Sequence, residues 1–347
     1  MTDGPRILIL KLGALGDVVM ASTLVPAILA RWPAARITWV VDEALAPIVR
    51  RFDGVTEVIA VPAEALLRGG MLTRARALLT SWWRIGAGVW DEVLVCHSDA
   101  RYGVVVRATR ARVRRYFRSV EAGAAAGLLR RRWMGDEYAD LLEGRTVDVA
   151  QPPQTNRPLP TIRGVPARGQ AILLAPGGAR NVLRDDALRR WPIGHWVTVA
   201  EALVSSGHDV TLIGGAGDAA EADAIRRAVP GVVDRVGRES LSETLDRIAA
   251  ARLLLTHDSG PLHLAVLTGT PTIALFGPTR PEERIPAWAP VRVVSAAAGL
   301  SCAPCYDGFG YARCAFNRCL ADVPPAAVLD VVTEMLHGSN SPSTPAS

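Results

Sequence analysis

Short apolar blocks alternating with longer amphipathic stretches organise this chain of 347 residues. Residues 7–10 form a compact apolar run, the pattern of a strand buried on both faces of a parallel sheet. A glycine-bearing turn follows, and residues 18–31 read as a helix ending before Pro33. Residues 36–41, 55–61 and 92–97 are predicted strands, with a long helix over 64–84 and a short one near 136–142. Residues 151–169 are rich in proline, glycine and polar side chains, which is a linker signature. The alternation then restarts. Strands are expected at 171–175, 209–213, 252–256 and 272–276. Helices are expected at 196–206, 219–228, 241–250, 262–268 and 324–336. This order predicts an α/β protein with parallel sheets. It divides into residues 1–165, residues 166–337 and a disordered polar tail over 338–347. No repeat of the solenoid kind is present.

Composition adds limits to this picture. Hydrophobic residues make up 49% and charged residues 21%, as in a folded globular protein and unlike a disordered one. No apolar run approaches the ~20 residues that span a bilayer, and residues 7–10 lack a cleavage site of the signal-peptide kind. A cytoplasmic protein is therefore expected. The net charge of +5 and pI near 9.2 favour an acidic partner. Nearly all of that basic charge is arginine, because Lys11 is the one lysine in the chain.

In open α/β sheets ligands bind beyond the C-terminal ends of the strands, so the turns there carry the candidate chemistry. The first runs Lys11-Leu-Gly13-Ala-Leu-Gly16-Asp17. Its glycines allow tight backbone geometry, and its spacing lacks the full dinucleotide fingerprint. Asp17 has two readings at this stage: a cap of the following helix, or a general base. In the second half, Pro176-Gly177-Gly178, Gly214-Gly215-Ala-Gly217-Asp218, His257-Asp258-Ser259-Gly260-Pro261-Leu262-His263 and Gly277-Pro278-Thr279 each follow a strand. Four such turns at one end of a sheet, one of them opening a helix, make an anion site. Read alone, Asp258 and Ser259 are also consistent with capping, and His263 with packing on the sheet.

Lys11-Leu-Gly-Ala-Leu-Gly-Asp17, Arg189-Arg-Trp-Pro192, Asp258-Ser-Gly-Pro-Leu-His263 and Phe276-Gly-Pro-Thr279 occur in this order. Together they resemble glycosyltransferase family 9, the ADP-heptose:lipopolysaccharide heptosyltransferases, over most of the chain from about Arg6 to about Leu336. The resemblance implies a GT-B fold of two facing Rossmann-like domains, with the acceptor on the N-terminal one and the nucleotide sugar on the C-terminal one. It implies an inverting transfer of a heptose or related sugar from an ADP-sugar to a lipopolysaccharide-core type acceptor. Asp17 then matches the catalytic base. Arg189 stands where relatives carry a lysine on the departing diphosphate, so the charge is kept but its geometry differs. Gly177, Gly178, Asp258, Ser259, Gly260, His263, Pro278 and Thr279 join Arg189 as expected donor or phosphate contacts. Asp218, or else Glu221, is the expected ribose contact. Lys11, Gly13, Gly16, Arg112 and Arg114 are the expected acceptor side.

Residues 101–132 hold ten arginines against the single acid Glu121. They read as a solvated basic face or, following the resemblance, as a dock for an anionic glycolipid at the inner membrane surface. Nucleic acid is not an expected partner, since no nucleic-acid-binding motif accompanies the arginines. Cys302, Cys305, Cys314 and Cys319 have the ligand count of a structural zinc site, and the alternative is four free thiols. No cofactor and no catalytic metal are expected, and the chain is expected to act as a monomer. Rival readings are a family member with another nucleotide sugar and glycan acceptor, a GT-B epimerase, and a sugar-nucleotide-binding protein without transfer.

Overall fold

The computed structural model describes residues 4–86, 88–117, 132–144, 157–178, 185–306 and 310–338. The chain folds as two units, Met1–Gly164 with Glu282–Trp288, and Val165–Pro281 with Ala289–Ser347. The segment Glu282–Trp288 belongs to the first unit, where the Trp288 ring meets Trp133 edge-on at 6.3 Å between centroids.

The first unit is a parallel sheet of β1 (Arg6–Leu10), β2 (Arg36–Asp42), β3 (Val55–Val61), β4 (Val89–Val95) and β5 (Arg110–Tyr116), in the order β3-β2-β1-β4-β5. Its helices are α1 (Leu15–Ala21), α2 (Leu24–Arg31), α3 (Ala46–Val49), α4 (Ala63–Arg68), α5 (Met71–Ile85) and α6 (Met134–Glu143). All of Ile7–Leu10 is inaccessible to solvent, as expected of a central strand covered on both faces.

The second unit holds β6 (Ile172–Leu174), β7 (Val210–Leu212), β8 (Val233–Asp234), β9 (Leu253–His257), β10 (Thr272–Leu275) and β11 (Val291–Val294). They are parallel in the order β11-β10-β9-β6-β7-β8. Helices α7 (Ile193–Ser205), α8 (Ala219–Ala228), α9 (Leu241–Ala250), α10 (Gly260–Thr268), α11 (Pro281–Arg284), α12 (Arg318–Ala321) and α13 (Pro325–Gly338) follow in chain order, α11 lying but for Pro281 in the first-unit segment Glu282–Trp288. Trp196, Leu174, Leu212, Leu255 and Val328 meet in one core. In each sheet the strand order reverses beside the first strand, β1 or β6. Ligands of doubly wound folds bind at such a switch point.

Several expected helices divide, and strands were missed. The helix expected over 18–31 is two helices. Pro26 has no N–H to give the carbonyl of residue 22, and the Ser22 and Thr23 hydroxyls bond instead to the carbonyls of Val19, Met20 and Gly135. Gly69-Gly70 likewise splits the helix expected over 64–84 into α4 and α5. Strand β5 lay hidden in the arginine-rich stretch, of which residues 118–131 fall outside the described residues. The linker reading covers residues 151–169, of which 151–156 are also outside them. Its described part is no free tether: Arg51 donates to the carbonyls of Arg163 and Gly164 at 2.9 Å each, and Asp53 N–H to Thr161 O at 2.9 Å. Tail residues 339–347 are outside the described residues, and helix α13 runs on through Gly338.

Candidate active site

The turn after β1 does not use Asp17 as a helix cap. Helix α1 begins at Leu15, its N-cap is Ala14, and no side chain caps it. Asp17 is therefore inside the first turn, and the capping reading fails. Its carboxylate Oδ2 accepts a hydrogen bond from Lys11 Nζ at 3.1 Å. Lys11 is 4% exposed, and its ammonium lies 5.2 Å from the Tyr138 ring centroid. Burial acts to lower the affinity of that ammonium for its proton. The charge of Asp17 and the Tyr138 hydroxyl outweigh burial, so Lys11 stays a cation well above its ordinary range. Lys11, expected on the acceptor side, is turned toward Asp17 in a buried pair.

The surroundings hold that pair from below. Burial and the Lys11 charge both keep His97 well below its ordinary value, so its ring is neutral. Its Nε2 accepts the Leu12 N–H at 2.9 Å, and the ring stacks on Tyr102 at 3.7 Å. Cys96 is buried beside it, with its thiol pushed up to about 12 by burial. Gly16 is the second residue of α1, and a Cβ on Gly13 would make only an ordinary 3.7 Å contact with Leu45. Arg112 and Arg114 stand on the edge strand β5. Arg112 is exposed and pairs with Asp91 at 3.3 Å, while Arg114 folds back onto the Thr109 carbonyl at 2.7 Å.

In the second unit, the buried carboxylate of Asp258 gathers three other expected residues. Asp258 is 2% exposed. Its Oδ2 accepts the Thr279 hydroxyl at 2.7 Å and pairs with Arg189 Nη1 at 3.4 Å; His263 Nε2 is 4.0 Å from Oδ1. Arg189 is held from the other side too. Its Nε donates to the Tyr311 hydroxyl at 2.7 Å, and the guanidinium stands 5.5 Å from the Tyr306 ring centroid. Burial works against the cation, but Asp258, Tyr311 and Asp186 raise it above its ordinary range. A fixed, permanently charged fork is suited to a diphosphate.

Helix α10 begins immediately after Asp258-Ser259. Ser259 is the N-cap in extended geometry, but its hydroxyl turns to Thr256 Oγ1 at 3.3 Å and leaves the helix without a side-chain cap. The opening turn thus keeps its positive end uncompensated by a cap. The Pro278 carbonyl accepts the N–H groups of Cys305 and Tyr306 at 3.0 Å each, tying the cysteine loop to this cluster.

Asp218, the expected ribose contact, clasps two backbone N–H groups. Its Oδ1 accepts the Gly178 N–H and its Oδ2 the Gly215 N–H, each at 2.9 Å. It joins two of the glycine turns. A Cβ on Gly177 would fall 2.2 Å from the Asp218 carboxyl carbon, which is why glycine is needed there. The Gly178 N–H, expected on the donor side, is held by Asp218.

His257 was not among the expected site residues. It is fully buried; its Nε2 accepts the Trp191 N–H at 2.8 Å and its Nδ1 faces Gly177 O at 3.0 Å. These partners require a neutral ring with the proton on Nδ1, and burial lowers its pKa to about 4. His257 thereby locks the Gly177 turn to Trp191, two residues after Arg189. Tyr138, Tyr306 and Tyr311 were also missed. Each is remote in sequence from its partner, so no local motif signals it.

Among the described residues no three Cys, His, Asp or Glu side chains are arranged to hold a metal ion. In the cysteine loop, Cys302, Cys305 and Cys314 act electrostatically on Cys319. No described helix is long and apolar enough to cross a membrane.

The family model for glycosyltransferase family 9 (heptosyltransferase) matches residues 147–309, the span that contains the Arg189–Asp258–Thr279 cluster. Residues 147–309 belong to glycosyltransferase family 9. Within the family, the chain is 38% identical over 103 residues to lipooligosaccharide heptosyltransferase 2 of Haemophilus influenzae, covering 28% of this chain and 30% of that protein. It is 27% identical over 303 residues to lipopolysaccharide heptosyltransferase 1 of Pseudomonas aeruginosa, covering 80% and 79%. The first of these matches thus spans about a third of the relative's length. The solved structure of Escherichia coli ADP-heptose LPS heptosyltransferase II superposes with a TM-score of 0.72 at 21% identity, over 97% of this chain and 100% of that one. That likeness establishes the fold as GT-B, with two Rossmann-like units on parallel sheets.

Proposed function

We propose that the chain is an inverting glycosyltransferase moving a heptose, or a related sugar, from an ADP-sugar to a lipopolysaccharide-core type acceptor. The observation that carries this reading is the Arg189 guanidinium fixed between Asp258 and Tyr311 beside the uncapped start of α10. The names of the family 9 relatives support the choice of sugar and acceptor.

In this reading the acceptor hydroxyl oxygen attacks the anomeric carbon on the face opposite the diphosphate. The bond from that carbon to the diphosphate oxygen breaks, and its electron pair leaves with the nucleotide. The hydroxyl proton passes to the Asp17 carboxylate. Arg189 and the Gly260 N–H at the start of α10 meet the charge that develops on the leaving group, and being already in place they need no reorganisation. Asp258 orients Arg189 and Thr279 and is itself too deeply enclosed by them to meet an anion. The four-cysteine loop serves by holding Tyr306 and Tyr311 on Arg189. Exposed Arg112 is a contact for an anionic glycolipid acceptor, and the chain works as a monomer at the inner face of the membrane.

The test is a panel of nucleotide sugars with purified protein, scoring nucleoside diphosphate release with and without a deacylated lipopolysaccharide acceptor. Acceptor-dependent release from ADP-heptose is expected. Release from no donor would remove the transferase reading, and release from another donor alone would replace the sugar.

A further inference from the structure

Helix α5 is built inside out for a surface helix. Ala77, Ser81 and Ile85, four residues apart, form its buried face. The opposite face carries Leu72, Arg76, Leu79 and Trp83, spaced four, three and four residues, so they line one stripe. Leu72 is 84% exposed, Leu79 62% and Trp83 82%, and Met71 at the helix start is 85% exposed. The neighbouring Trp82 turns inward instead and donates its indole N–H to Val104 O at 2.9 Å. The large apolar groups thus point to solvent while small ones pack inside, the reverse of an ordinary amphipathic surface helix.

The charge around the stripe selects its partner. Arg68, Arg74 and Arg76 are exposed on or next to the first turns of α5, and α5 itself contains no acid. Two copies meeting through this stripe would bring like charges together. An anionic lipid surface gives each arginine a phosphate and lets the Leu and Trp side chains enter the region between headgroups and acyl chains. Tryptophan is especially suited to that depth. From the stripe and its basic rim we infer that the outer face of α5 docks this protein on an anionic membrane. This deepens the proposed placement at the membrane, and it reads lipid binding alone, so it stands or falls apart from transfer activity.

The experiment is flotation of the full chain with vesicles of phosphatidylcholine alone or with about one third phosphatidylglycerol. Binding to the anionic vesicles, weakened by added salt, is expected. The triple variant Leu72→Ser, Leu79→Ser, Trp83→Ser should bind at least about tenfold more weakly. The variant Arg74→Gln, Arg76→Gln should lose about fivefold per arginine, and only on anionic vesicles. All changes are at exposed positions, and an unchanged melting temperature checks that the fold is kept. Equal binding by the triple variant overturns the inference, as does no binding by the parent chain to either vesicle. Light scattering that shows a dimer converted to monomer by Trp83→Ser also overturns it, because the stripe would then be an interface between copies.

Discussion

Lys11 donates to Asp17 at 3.1 Å from a position that is almost wholly buried. An opposite charge this close favours the ionised carboxylate, which is the form a base must have before it can take a proton. Lys11 is thus a positioning residue for Asp17, anchored in turn by Tyr138. Replacing Lys11 by Met should move the acid limb of the kcat/KM profile to higher pH, with the rate recovering above the shifted limb. Lys11→Arg should leave the limb near its original place. Asp17→Asn should lose at least about a hundredfold in kcat at every pH while ADP-sugar binding persists. A Lys11→Met profile superimposable on the parent's would remove the positioning role.

The hydrogen bond from Arg189 to Tyr311 gives a second prediction. Tyr311→Phe keeps the ring beside the guanidinium and removes one fixed acceptor at 2.7 Å. A loss of about threefold to tenfold in kcat/KM is expected, from one net hydrogen bond. Arg189→Ala should cost far more, at least about a hundredfold, because leaving-group charge is then unmet. Steady-state kinetics with a saturating acceptor measure both, and equal losses for the two variants would refute the assignment.

Gly177→Ala tests the Asp218 clasp. The added Cβ would overlap the Asp218 carboxyl group, which joins the turns at Gly178 and Gly215. Overpacking of this kind costs about 1–3 kcal/mol. The variant should unfold at lower denaturant and bind an ADP-sugar at least about tenfold more weakly in calorimetry. Parent-like values for both quantities would show that the clasp has no part in holding the donor turns.

The buried His257 makes stability depend on pH in a defined direction. Its folded pKa of about 4 lies below the ordinary 6.5, so the unfolded chain takes up a proton that the folded chain refuses. Its stabilising contribution is complete above pH 6.5 and is lost as the pH falls from 6.5 toward 4. The full difference is about 3 kcal/mol. His97 is lowered too and acts in the same direction. Melting temperatures should be level from pH 8 to 7 and fall between pH 6.5 and 4.5, and His257→Asn should flatten part of that fall. A flat profile down to pH 5 would contradict the burial of both rings.

The alternation of apolar blocks and helical periods was enough to read two parallel α/β units, because each strand is apolar along its length and each helix on one side. The glycine turns after β6, β7, β9 and β10 were legible for the same reason: strand ends are local features, and the ligand edge of such sheets is known from topology. The family motifs located Arg189, Asp258 and Thr279, and the structure brings them round one carboxylate. What sequence could not supply was the partner of each group. Lys11 meets Asp17 within one turn, yet its other partner, Tyr138, lies on α6, and Arg189 meets Tyr311 from across the chain. Asp218 shows the same limit, since an acid after a glycine turn looks like a ligand contact until two backbone N–H groups are found on it. Local spacing determines which face of a helix or strand a residue occupies. Only tertiary packing decides which remote group that face meets, and whether a charge there is free for a substrate or committed to the fold.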